Sequence, residues 1–145
     1  MDPAIRSYRS EDREALVALW SACDLVQPQN NPHRDVDRKA ARDPENLLVL
    51  EDNGQLIGAV MVGYEGHRGW INYLAVHPDR QRQGLGRLLM AEAETRLRGL
   101  GCAKVNLQVR RSNKSATEFY RRIGYAIDDV LSLGKRLEDD TPTPG

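Results

Sequence analysis

The chain has 145 residues, with 21 Lys+Arg against 21 Asp+Glu and hence no net charge, and is 40% hydrophobic and 29% charged. That is the length of one domain, long enough to bury a core without disulfides, with the composition of a globular protein and not of a disordered or fibrous one. The zero balance argues against bulk binding to nucleic acid or to an anionic membrane, which needs a basic excess, and leaves room for a local basic patch.

Cys23 and Cys102 stand far apart, and His33, His67 and His77 are scattered, so no zinc spacing exists. The two cysteines read as reduced, buried thiols of a cytoplasmic protein. The first residues contain no apolar leader core, and no apolar run approaches the roughly 18 residues of a membrane span.

A short strand is expected at Ile5–Tyr8, followed by a helix with Ser10 as N-cap and Glu11 and Asp12 in its first turn. Leu16, Leu19, Trp20 and Cys23 fall on one helical stripe. Gln27–Pro32 reads as loop and Asp35–Arg42 as a short polar helix. Asn46–Glu51 and Gln55–Tyr64 are strands joined through Asp52-Asn53-Gly54, a hairpin signal. Trp70–Val76 is a further strand. Leu85, Leu88, Leu89, Ala93 and Leu97 mark a helix stopping near Gly99 and Gly101. Val105, Leu107 and Val109 alternate as a strand, and Ala116, Phe119, Tyr120 and Ile123 give a last helix ended by Gly124. Tyr125–Ile127 and Val130–Lys135 read as closing strands. Residues 1–137 form the domain, of mixed α/β (α+β) class. The acidic, proline-containing tail, 138–145, is expected to be disordered.

Chemistry concentrates between Val76 and Arg87. A strand ends, Pro78 breaks it, and a helix starts near Leu85, with Gly84 and Gly86 removing side chains at the turn. Free N–H groups at a helix start attract a diphosphate, and Arg80, Arg82 and Arg87 add charge. Neither Gly-x-x-x-x-Gly-Lys-Ser/Thr nor Gly-x-Gly-x-x-Gly is present, which speaks against a nucleoside triphosphatase and a dinucleotide oxidoreductase.

Gln81-x-x-Gly84-x-Gly86 after a strand resembles the acyl-coenzyme A signature of the GNAT superfamily of N-acetyltransferases. Asn113-x-x-Ala116-x-x-x-Tyr120-x-x-x-Gly124-Tyr125 is similar to a second block of that family. The Gly63–Trp70 loop and the Ser132–Leu137 end look most like the bacterial YpeA-type subgroup.

The resemblance implies a GNAT fold, with a central sheet of about six to seven strands and about four flanking helices. It implies acetyl-CoA as acyl donor, an amine as acceptor and no metal. The acceptor is a small-molecule amine or a protein or peptide α-amino group, and the protein a monomer or homodimer. Backbone groups of Arg82, Gln83, Gly84, Leu85, Gly86 and Arg87, beside Gln81, would hold the diphosphate. Leu74, Ala75 and Val76 would face the pantetheine arm, Leu74 and Val76 pairing with it through their backbones as an added strand. Asn113 would contact the cofactor or cap the last helix. Tyr120 would protonate the leaving thiolate as general acid, where periodicity by itself reads a core aromatic.

In the ribosomal-protein alanine acetyltransferases of the family, a Leu-Glu-Val-Arg strand supplies a basic glutamate. Here Leu107-Gln108-Val109-Arg110 stands instead, and glutamine accepts no proton at neutral pH. Glu65, His67 and Tyr73 are the replacements considered, each with an ordinary role in a turn or on a sheet face as the competing reading. A coenzyme A-binding module that has lost catalysis and acts through a protein partner is the alternative that Gln108 keeps open.

Overall fold

Asn53 and Gly54 both adopt left-handed backbone, with φ of +52° and +78°. That is the twist a tight turn needs to return a strand along its neighbour. β2 (Leu47–Asp52) therefore runs antiparallel into β3 (Gln55–Tyr64). The computed structural model describes residues 2–141. β1 (Ala4–Ser7) pairs antiparallel with β2, and β4 (Gly69–Val76) antiparallel with β3. β5 (Val105–Leu107) lies parallel to β4, so the mixed sheet runs in simple order from β1 to β5. Four α-helices accompany it among the described residues: α1 (Arg13–Ala22), α2 (Pro32–Arg42), α3 (Leu85–Gly99) and α4 (Lys114–Arg122).

The chain separates into two compact units, one reaching to Leu107 and including Asp140 onward, the other covering residues 108–139. In the first, Leu47 to Leu50 are buried at every position because the sheet is covered on both faces. Leu47 and Val49 join Leu16, Leu19, Trp20 and Val36 from α1 and α2. Leu50 belongs to the other face, where Gly58 lets α3 approach. A Cβ on Gly58 would sit 3.0 Å from Leu89 Cδ1 and 3.2 Å from Leu50 Cδ2. Each fully buried side chain of this size stabilises the fold by about 1.5–3 kcal/mol.

Local details differ from expectation where side chains found better partners. Ser10 lies in a 3₁₀ turn, and the capping carboxylate is Asp12, which accepts from Arg9 N–H at 2.8 Å and takes the Arg6 guanidinium at 2.8 and 2.9 Å. α2 begins earlier than expected, with Pro32 in its first turn and the Asn31 side chain accepting from Arg34 N–H.

In the second unit, α4 starts at its Asn113 cap and ends near Gly124, whose φ is +103°. Tyr125–Ile127 and Val130–Lys135 are not strands. A strand must pair its N–H and C=O groups, and the described residues of this unit contain no partner strand. Ile127, Val130, Leu131 and Leu133 accordingly stay 72%, 75%, 82% and 91% exposed. The strand expected to reach Val109 stops at Leu107. The sheet thus has five strands, not six to seven. Of the tail expected to be disordered, residues to Thr141 are described and Asp140 is buried, while 142–145 lie outside the described residues.

Candidate active site

β5 covers only Gly69–Ile71 of β4, so beyond Ile71 the outer edge of β4 has no strand neighbour among the described residues. His77 N–H donates to Ile57 O at 2.8 Å, and Val76 lies opposite Gly58. The alternation of an antiparallel ladder then turns Ala75 toward Ala59 and turns the backbone groups of Leu74 and Val76 outward. Of the three residues expected along the pantetheine arm, Leu74 and Val76 present that edge, while Ala75 is buried and turned to β3.

The Val76 carbonyl already accepts from Gln81 Nε2 at 3.1 Å and from the Cys23 thiol at 3.2 Å. Gln81 therefore ties the loop to the strand end, and an extended arm pairing here shares or displaces those donors. Burial raises the pKa of the Cys23 thiol, keeping it a donor. Both cysteines are free and half-buried, less enclosed than their neighbours in sequence suggested.

Past the strand, His77 Nδ1 accepts from Asp79 N–H at 3.1 Å. Arg80 pairs with Asp52 at 2.9 Å and donates to Gln83 at 3.3 Å, so it braces the loop and is not a free charge for a diphosphate. Arg82 and Gly84 are both left-handed, with φ of +64° and +77°. Left-handed residues in a tight loop turn successive N–H groups inward as a concave anion receptor. Gly84 is the N-cap of α3, and no side chain caps the helix and no acid occupies its first turn. The N–H groups at this helix start lack internal partners. Leu85 has a buried side chain, so it can offer only backbone here, whereas Arg82 and Arg87 are exposed.

Tyr73 sits where the pairing of β3 with β4 slips by one residue, at φ +52°. A left-handed tyrosine costs about 1–2 kcal/mol, and its surroundings hold it there. Its ring stacks on buried Trp20 with centroids 3.8 Å apart and planes 10° apart. Its hydroxyl donates to Asp35 Oδ2 at 2.6 Å. Burial and that hydrogen bond push the hydroxyl pKa far above the usual range, so Tyr73 is a donor at neutral pH and not the base considered from the sequence.

Glu65 is engaged in the β3–β4 turn, its carboxylate accepting from the N–H groups of His67 and Arg68. It lies four residues beyond Met61, which faces Asn72, and at about 3.3 Å per strand residue that is on the order of 13 Å from Tyr73's end of β4. The His67 ring nitrogen meets Arg68 Nη1 at 3.4 Å in the same exposed turn.

In the second unit, Gln108 Nε2 donates to the Ser132 hydroxyl. The Asn113 side chain accepts from Ala116 N–H at 3.1 Å, the capping role read for it, and its oxygen also takes the Ser115 hydroxyl at 3.2 Å. Tyr120 packs edge-to-face between Phe119 and Tyr125, with centroids 5.1 and 5.8 Å away. Burial raises its hydroxyl pKa to about 12, so it keeps its proton at neutral pH.

Arg34, Asp35 and Arg38 lie on α2, of which the sequence showed only a short polar helix from Asp35 onward. Trp20 was read as core, which it is. What places these groups together is the crossing of α1 and α2 over β4.

The model of the Acetyltransferase (GNAT) family matches residues 8–125, running through both units. An acetyltransferase of Pectobacterium atrosepticum is 43% identical over 136 residues, covering 94% of this chain and 96% of its own. Among solved structures, the ribosomal-protein-S18-alanine N-acetyltransferase of Escherichia coli is similar with a TM-score of 0.70 and 26% identity, over 85% of this chain and 77% of that one. The PaiA N-acetyltransferase of Thermoplasma acidophilum, in complex with coenzyme A, shares the fold with a TM-score of 0.77 at 19% identity, over 90% and 94% of the two chains.

Proposed function

Since this chain belongs to the GNAT family of acetyltransferases and is an acyl-CoA-dependent N-acetyltransferase, we propose that it moves acetyl from acetyl-CoA to a primary amine by direct attack. The observation that carries this reading is the open edge of β4 after Ile71, which leads into the left-handed turn at Arg82 and Gly84 and the uncapped start of α3. An extended pantetheine arm pairs as an added strand at Leu74 and Val76. The diphosphate is held by backbone N–H groups from Arg82 to Arg87.

In the transfer, the neutral amine nitrogen bonds to the thioester carbonyl carbon and the C–S bond breaks with its electron pair on sulfur. The extra proton on nitrogen passes through solvent water to the departing sulfur, leaving the amide and the free thiol. An outward N–H near Leu74 polarises the carbonyl oxygen as charge builds there. The family pattern assigns the departing sulfur to Tyr120. A free thiol has a pKa of about 8.5, well below the value of about 12 for this hydroxyl. Thiolate therefore does not take the proton outright. That pattern leaves Tyr120 the role of hydrogen-bond donor to the thiolate, a smaller contribution than full proton transfer.

Gln108 cannot act as base, Tyr73 donates to Asp35, Glu65 accepts from the N–H groups of its own turn, and the His67 ring meets Arg68 in that same exposed turn. The acceptor then reacts through the fraction already neutral. An α-amino group with pKa of roughly 7.7–8.0 is about a tenth neutral at pH 7, against about one part in 2,500 for lysine near 10.4. This favours an α-amino group, or a small amine of similarly low pKa, over a lysine side chain. The test is a panel of amines with acetyl-CoA, following free thiol and acetylated product together. Acetyl transfer to at least one α-amino or small amine is expected, and coenzyme A binding without transfer to any member would overturn the reading.

A further inference from the structure

We propose that Arg34 and Arg38 form a carboxylate-binding site on α2, filled in this structure by the chain's own Asp140, and that it selects amines which also carry a carboxylate, such as an amino acid or a short peptide. The substrate assignment rests on the acetyl-transfer reading; the binding site itself does not.

Arg34 and Arg38 are four residues apart on α2 and so share a helix face. Arg38 meets the Asp140 carboxylate with both fork nitrogens, Nη1 to Oδ2 at 2.6 Å and Nη2 to Oδ1 at 2.9 Å. Arg34 Nη1 stands 3.5 Å from Oδ1. The carboxylate is only 9% exposed, whereas the two arginines are 55% and 48% exposed. This fork geometry is how arginine recognises a carboxylate. Glu138, Asp139 and Thr141, which flank Asp140, are polar, so the segment is held by charge and hydrogen bonds and not by apolar packing.

The neighbouring group on α2 completes an amino-carboxylate receptor. Asp35 Oδ2 accepts from the Tyr73 hydroxyl, while its Oδ1 has the Arg38 guanidinium at 3.8 Å and no hydrogen bond among the described residues. Asp35 keeps a side-chain exposure of 26%, so an ammonium can reach it. Tyr73, which holds Asp35, directly precedes Leu74 on the open edge of β4. A ligand whose carboxylate replaces that of Asp140 can donate an amine N–H to Asp35 Oδ1, on the side of α2 that meets the strand where the thioester is read to lie. Asp140, tethered to the protein, competes with it as an intramolecular ligand.

The experiment uses the full chain as wild type, Asp140→Asn, and Asp140→Asn combined with Arg38→Gln. N-acetylglycine, which has a carboxylate and no amine, is titrated by calorimetry without acetyl-CoA. It should bind about tenfold more tightly to Asp140→Asn than to wild type, and the gain should vanish when Arg38→Gln is added. In turnover, Asp140→Asn should lower KM for a dipeptide acid and not for its amide, with KM for acetyl-CoA unchanged. Equal N-acetylglycine affinity in wild type and Asp140→Asn, with a lowered melting temperature in the variant, would make Asp140 a structural strap and overturn the proposal. If N-acetylglycine behaves as expected but no amine is acetylated, the binding site stands and the acetyl-transfer reading falls.

Discussion

Replacing Gly84 by alanine separates backbone strain from cofactor recognition. Gly84 has φ +77°, and a Cβ added there meets nothing within 4 Å, so the substitution creates no clash in the free protein. What it costs is the left-handed conformation, about 1–2 kcal/mol for a residue with a Cβ, partly offset by about 0.4–1 kcal/mol of reduced freedom in the unfolded chain. A net loss of about 1 kcal/mol lowers Tm by about 3 °C in a protein of this size. Gly101 is the matched control, with φ +86° and the same open surroundings. It lies past the far end of the 15-residue α3, whose axial length is about 22 Å. Both alanine variants should therefore lose the same Tm. Only Gly84→Ala should weaken coenzyme A binding, because its Cβ stands at the helix start where the diphosphate hydrogen-bonds to backbone. Losing one charge-assisted hydrogen bond of about 1.5–3 kcal/mol corresponds to about 10–150-fold in Kd. Gly84→Glu adds a bulky anion and should abolish binding. Scanning calorimetry gives Tm and titration calorimetry gives Kd. Coenzyme A affinities of Gly84→Ala and Gly101→Ala within twofold of each other would refute the placement of the diphosphate at this helix.

Tyr120→Phe keeps the ring between Phe119 and Tyr125 and removes the hydroxyl, so stability should hold while kcat falls by about 10–150-fold, the range for one hydrogen bond to a developing anion; single-turnover rates with a reactive amine check this, and unchanged kcat would return Tyr120 to packing alone. Tyr73→Phe keeps the stack on Trp20 but releases Asp35 and should destabilise by about 1–2 kcal/mol in urea unfolding, since Asp35 regains water; a larger loss would mean that the stack depends on the hydroxyl. Asp12, held by Arg6 and by Arg9 N–H, has its carboxyl below the usual range. A depressed carboxylate stabilises above its unfolded pKa and loses that contribution as pH falls through the folded value, so wild type should exceed Asp12→Asn in stability at pH 7 and the gap should close below about pH 4. Melting curves of the pair between pH 2 and 7 measure it, and a gap independent of pH would show that packing and not charge is lost.

The hairpin at Asn53–Gly54, the apolar stripe of α1 and the strand–turn–helix passing through Gly84 were legible because each depends on neighbours in the chain. Backbone sterics fix which residues turn left-handed, and periodicity fixes which face is apolar, without knowledge of what packs against it. Val130–Lys135 shows the limit, since alternation marks a segment able to pair and only another strand's free edge makes it a strand. The groups around the open end of β4 were set by tertiary structure in the same way. Tyr73 looked like a candidate base until Trp20 from α1 and Asp35 from α2 met it, 53 and 38 positions away in sequence. Arg80 looked like a charge for a phosphate until Asp52 neutralised it, and Arg38 like a solvated surface residue until Asp140 reached it across 102 positions. Side-chain protonation and charge depend on which groups come within a few ångströms, and for residues this far apart in the chain that is decided by the packing of helices on the sheet.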